Sequence, residues 1–105
     1  MPDPMRIRAQ LRNDVTEIHV LMPHPMETGF HKDADGDFIP AHYITDIRIE
    51  LADRPVLSGT LSRAVSEDPL LHCRVQGGRL GDRVRVWWTD THGETRTDEA
   101  VVTAA

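Results

Sequence analysis

Seven short stretches of this chain alternate side chains with period two, and none repeats with the 3.6-residue period of a helix. In an extended backbone successive side chains point to opposite faces, so each stretch reads as a half-buried strand. Met5, Ile7, Ala9 and Leu11 alternate with Arg6, Arg8, Gln10 and Arg12, and after the turn residues Asn13-Asp14, Ile18, Val20 and Met22 alternate with Glu17, His19 and Leu21. Tyr43 to Leu51 places Ile47, Ile49 and Leu51 on one side, and Ala52-Asp53-Arg54-Pro55 turns it into Val56 to Leu61. After a connection at Ser62 to Pro69, Leu71, Cys73 and Val75 oppose Leu70, His72 and Arg74. A glycine-rich turn from Gln76 to Asp82 leads to Val84, Val86 and Trp88, which alternate with Arg83, Arg85 and Trp87. Asp90-Thr91-His92-Gly93 is hairpin-turn chemistry, and Thr95 to Val102 is the last strand. Strands of this length and spacing predict an all-β sandwich of about seven antiparallel strands, immunoglobulin-like in architecture. A chain of 105 residues makes it one domain over 1–105. The expected core is Ile7, Ile18, Val20, Ile47, Ile49, Val75, Val84, Val86 and Trp88, with Trp87 on the opposite face at the surface or an interface.

One segment breaks the pattern. Leu21 to Ile44 carries three of the six histidines (His24, His31, His42) and three of the seven prolines (Pro23, Pro25, Pro40). Prolines lack the N–H a central strand needs, and Asp33-Ala34-Asp35-Gly36-Asp37 is turn chemistry. The segment is expected to be a long loop or hairpin on a rigid scaffold, the usual place for function. Its Met22, Met26, Phe30, Phe38, Ile39 and Tyr43 are expected to form an exposed apolar surface of the kind that marks an interface, with Phe38 and Ile39 alternatively folded back over one end of the sandwich.

Charge narrows the partners. The formal net charge of −5 argues against a nucleic-acid binder, which needs a basic face. No apolar run reaches the length of a membrane-spanning helix, and Met1 to Arg6 lacks the apolar stretch of a signal peptide. The single Cys73 cannot form an internal disulfide, and its alternation with Leu71 and Val75 points it inward as an inert thiol. No catalytic constellation emerges: Ser58, Ser62 and Ser66 lie in no nucleophile motif. The Asp33–Asp37 run starts like a calcium loop, but Phe38 stands where that loop needs Gly and Ile44 where it needs Glu. No cofactor and no metal are expected.

The histidines carry a partial resemblance. His24-Pro25-Met26 and His42-Tyr43-Ile44, with His19 before them and His92-Gly93 after, resemble the order of ligands in superoxide reductases, sandwich proteins whose iron is held by four His and one Cys. Thr89 stands at the position of the late Cys, and the spacing between His24 and His42 is longer than in that family. An iron-dependent protein of that type is one alternative reading; a generic sandwich binding module is another.

A second resemblance spans nearly the whole chain. Met5-Arg6-Ile7-Arg8-Ala9, Val15-Thr16-Glu17, Leu21-Met22, His24-Pro25-Met26-Glu27-Thr28-Gly29, Ile39-Pro40-Ala41-His42-Tyr43-Ile44-Thr45, Ala64-Val65-Ser66 with Asp68-Pro69, and Trp88 to Glu94 are similar, in order and spacing, to the SoxZ family. Asp68 departs from the Asn usual there. The resemblance implies an immunoglobulin-like, non-catalytic subunit that forms a heterodimer with a SoxY-like protein. That partner carries sulfur intermediates of thiosulfate oxidation on a glycine-flanked C-terminal cysteine and presents them to other Sox enzymes. It further implies a periplasmic location, reached without a signal peptide of its own by export with the partner. The partner interface is expected to draw on His24, Pro25, Met26, Glu27, Phe30, Ile39, Pro40, His42, Tyr43 and Trp87, with His24 and His42 as hydrogen-bond donors near the bound sulfur species.

Overall fold

The computed structural model describes residues 2–105, and every described element is a strand. The strands are β1 (Arg6–Arg12), β2 (Val15–Leu21), β3 (Ile44–Leu51), β4 (Arg54–Thr60), β5 (Leu70–Gln76), β6 (Arg83–Asp90) and β7 (Thr95–Ala104). Hydrogen bonds order them β4-β3-β6-β7-β1-β2-β5. This is a sandwich: β1, β2 and β5 form one layer and β4, β3, β6 and β7 the other, with a single core between them.

The pairing departs from the all-antiparallel expectation in one place. The start of β7 pairs antiparallel with β6, but its end runs parallel to β1, with Ala9 opposite Val102 and Leu11 opposite Ala104. A ten-residue strand is long enough to serve both layers, so the chain's last strand joins them.

Local chemistry sets the hairpins. Asn13 and Asp14 take φ of 49° and 65°, and Ala52 and Asp53 take 51° and 63°. Positive φ at both central residues is the mirror-image turn whose twist matches paired strands. Between β5 and β6, Gly78 has φ +97°, and a Cβ there would run into Thr16 Oγ1 and sit 3.4 Å from Leu51 Cδ2. The backbone must approach this closely because the Thr16 hydroxyl donates to the Gly77 carbonyl at 2.7 Å, closing that end of the core.

Seven of the nine expected core residues are buried, and Ile7 and Val75 pack half-buried against them. Met5, Ala9, Met22, Met26, Ile44, Leu51 and Val102 complete the buried cluster. Trp88 is buried, and Trp87 lies half-buried on the outer face with the Arg48 guanidinium 4.3 Å over its ring. Cys73 is opposite Ile18, half-buried against the core rather than fully enclosed, because β5 is an edge strand. Burial pushes its thiol pKa up, so less of the reactive thiolate forms at neutral pH. Labelling of the native chain with a thiol reagent should therefore be slower than labelling of the same chain in denaturant. Equal rates would place the sulfur at the open surface.

Candidate functional site

The loop between β2 and β3 is not a free excursion; it is fastened at both ends to one carboxylate. Asp90 closes β6, and its side chain is fully shielded from solvent. Oδ1 accepts the backbone N–H groups of His92 and Glu94, both at 2.9 Å. This is an Asp bonding its own turn, and Gly93 at φ +76° lets the chain reverse there. Oδ2 faces the other way and takes Nε2 of His24 at 2.9 Å and Nε2 of His42 at 2.8 Å. His24 lies just past the end of β2, and His42 just before β3 begins.

The tautomers follow from the remaining partners. The Met26 N–H donates to Nδ1 of His24 at 3.1 Å, so His24 carries its proton on Nε2 and gives it to Asp90. His42 directs Nε2 at both Asp90 and Oε1 of Glu94, the latter at 2.9 Å. Its ring stacks on His92 at 3.8 Å, and Nε2 of His92 donates to the Ala41 carbonyl at 3.0 Å. His24 also meets Trp88 edge to face at 5.1 Å, which couples the polar cluster to the core. Burial pushes the Asp90 carboxyl pKa up, but the hydrogen bonds from His24 and His42 and from the backbone of Glu94 and His92 outweigh it, holding the group below its ordinary value.

Above this base the loop is an arm of two antiparallel segments. Glu27 and His42 exchange backbone hydrogen bonds of 2.7 and 2.9 Å, and Lys32 bridges Phe38 further out. Asp33 Oδ1 accepts from the amides of Asp35 and Asp37 at the tip. Asp33–Asp37 is thus a turn that spends its side-chain oxygen on its own backbone. Asp68 braces the arm's root: it accepts the His24 N–H at 2.9 Å and returns its own N–H to the His24 carbonyl at 3.0 Å. Its φ of +52° is a conformation that Asn and Asp tolerate best, so Asp68 holds both the backbone turn and the contact. A polar cleft of about 540 Å3 opens beside the cluster, lined by His24, His42, Asp68, Trp88 and Glu94 among others.

The residues expected to form an exposed apolar surface divide. Phe30 and Phe38 are exposed, at 68% and 63%, and cations cover their faces: Arg63 over Phe30 and Lys32 over Phe38, both at 5.1 Å. Phe38 therefore does not fold back over the sandwich. Pro25 and Pro40 are exposed, while Glu27, Ile39, Tyr43 and Trp87 are half-buried. Met22 and Met26, expected on the surface, lie in the core at 1% and 4% exposure. Met26 takes a left-handed φ of 49°, which turns its side chain inward and sets its sulfur 3.3 Å from the Ile44 nitrogen. His24 is likewise buried, and the Nε2 protons of His24 and His42 already go to Asp90, so these rings are not free donors toward a bound species. Asp90 is the centre of the cluster, whereas the sequence marks it only as a residue of the turn beside His92.

The iron-site resemblance holds in part. His24, His42 and His92 come together, but around a carboxylate; His19 stacks on His72 in a different cluster, on the outer face of β2 and β5. Both ring nitrogens of His24 are engaged in internal hydrogen bonds, and Thr89 offers no thiolate, so these residues do not fit a four-His, one-Cys iron centre.

Comparison with solved structures gives a superoxide reductase in the oxidised state, at 12% sequence identity and a TM-score of 0.65, covering 97% of this chain and 89% of that one. At that identity the likeness concerns the fold. No curated protein matches the sequence. The family model for sulphur oxidation protein SoxZ matches residues 5–101, a span that includes β1, both ends of the arm, the Asp68 brace and the Asp90 turn. The chain belongs to the SoxZ family and so to the proteins of sulfur oxidation.

Proposed function

We propose that this chain is the non-catalytic subunit of a two-protein sulfur carrier. Its partner is a SoxY-like protein whose glycine-flanked C-terminal cysteine holds the sulfur intermediates of thiosulfate oxidation. The observation that carries this reading is the family match over residues 5–101. The site is consistent with a structural role: its histidine protons are committed to Asp90, leaving the cluster as a fastening rather than a reacting group. The arm that it fastens presents Phe30 and Phe38. Aromatic residues and Arg are the types favoured at interface centres, so the arm, with Phe30 under Arg63, Phe38 at its tip and Ile39, Pro40 and Tyr43 at its return, is the surface that meets the partner or the enzymes reading its cysteine. The complex works in the periplasm, and the chain travels there with the partner that bears the export signal.

Co-expression with a SoxY-like protein tests this. The expected product is a 1:1 complex on size exclusion with light scattering, found in the periplasm only when the partner keeps its signal. Phe30→Ala with Phe38→Ala should weaken that complex, or its docking to a Sox enzyme, by roughly tenfold or more while the isolated chain keeps its Tm. If the parent chain forms no complex with such a partner, the carrier reading fails. If the parent binds and the double variant binds every partner equally well, the arm is not the docking surface.

A further inference from the structure

We propose that the outer face of β2 and β5 carries a transition-metal site formed by Glu17, His19 and His72, separate from the Asp90 cluster. His19 lies directly opposite His72 in the antiparallel register, and Glu17, two residues earlier on β2, shares that face. The two imidazoles stack at 4.1 Å with 10° between their planes. One donor atom from each of the three residues lies within 4.8 Å of the other two. Metal–ligand bonds of about 2.0–2.2 Å allow two donors on one ion to stand at most about 4.4 Å apart. The stacked rings must splay so that both ring planes contain the ion, a rotation of side chains carried on a fixed strand pair.

The neighbours select the ion. Arg8 faces His19 across the β1–β2 pair, and Arg74 holds Glu17 through an ion pair of 3.3 Å. These positive charges oppose a hard cation that binds by charge alone, such as Ca2+ or Mg2+. They leave an ion that bonds strongly to neutral imidazole: Cu(II) first, with Ni(II) and Zn(II) weaker. Such an ion would clip β5, an edge strand that among the described residues is hydrogen-bonded to β2 alone, onto the sheet.

Titration of the untagged full chain with CuCl2 should give one bound ion with a dissociation constant on the order of micromolar. In NMR spectra the ring signals of His19 and His72 should broaden before those of any other histidine. His72→Ala, at an exposed position, should weaken binding at least tenfold. Arg74→Ala should instead tighten it severalfold, because Glu17 is released and a like charge removed. The proposal is overturned by binding no tighter than millimolar, by binding that His72→Ala leaves unchanged, or by broadening that begins at His42 and His92. A variant Arg74→Ala that fails to tighten binding removes Glu17 from the ligand set, and with it the three-donor site.

Discussion

Replacing Asp90 with Ala is expected to destabilise the fold by about 3–5 kcal/mol, the range for removing one member of a buried, hydrogen-bonded charged cluster. The change strips the acceptor from four donors at once: the Nε2 protons of His24 and His42 and the amides of His92 and Glu94. Each orphaned donor shielded from water costs on the order of 1–3 kcal/mol, and Glu94 can recover only the His42 contact. Asp90→Asn keeps the shape but turns one oxygen into a donor that faces two imidazole N–H groups, so it too should lose stability, though less. Chemical denaturation at neutral pH measures both. A loss under about 1 kcal/mol for the Ala variant would mean that the arm is held by other contacts. The same residue sets an acid response. Its pKa in the folded chain lies below the ordinary carboxylate value, so its contribution is complete above the unfolded value of about 4 and fades as the pH falls through the lower folded value. Stability of the parent should fall across that acid window with a component that is missing in Asp90→Asn.

The strands were legible because period two is a local property, written within each stretch of seven to ten residues. What could not be read locally was what joins one stretch to another. Asp90 in Asp-Thr-His-Gly has every mark of a turn residue, and it does serve its turn through Oδ1. Nothing beside it tells that Oδ2 serves His24 and His42, 66 and 48 residues earlier. The ordered histidines signal that these segments meet, and His24, His42 and His92 do; what they gather around is the Asp90 carboxylate. Met26 departs from its expected exposure for a different reason. A methionine in a Pro-rich loop reads as exposed, and only its left-handed backbone carries the side chain into the core. The parallel end of β7 is likewise invisible to alternation, which gives the face of a residue and not the neighbour of its strand.

Trp88→Ala should cost a further class of contacts, about 3–5 kcal/mol, the range for deleting a buried aromatic side chain. Trp88 is 1% exposed and heads the buried side chains by volume, so its loss leaves a cavity between the layers. It also removes the ring against which His24 rests at 5.1 Å, so the arm's root loosens along with the core. Its indole Nε1 is buried without a hydrogen-bond partner among the described residues. That orphan donor costs on the order of 1–3 kcal/mol in the parent. Trp88→Phe gives up volume but also discards the unpaired N–H, and the two effects oppose each other. The Phe variant should therefore lose less than the Ala variant, because its cavity is smaller and it leaves no orphaned donor. Denaturation midpoints at constant m-value measure the pair. Equal losses for Phe and Ala would show that the indole N–H is paired in solution, and a negligible loss for Ala would show that Trp88 does not hold the two layers together.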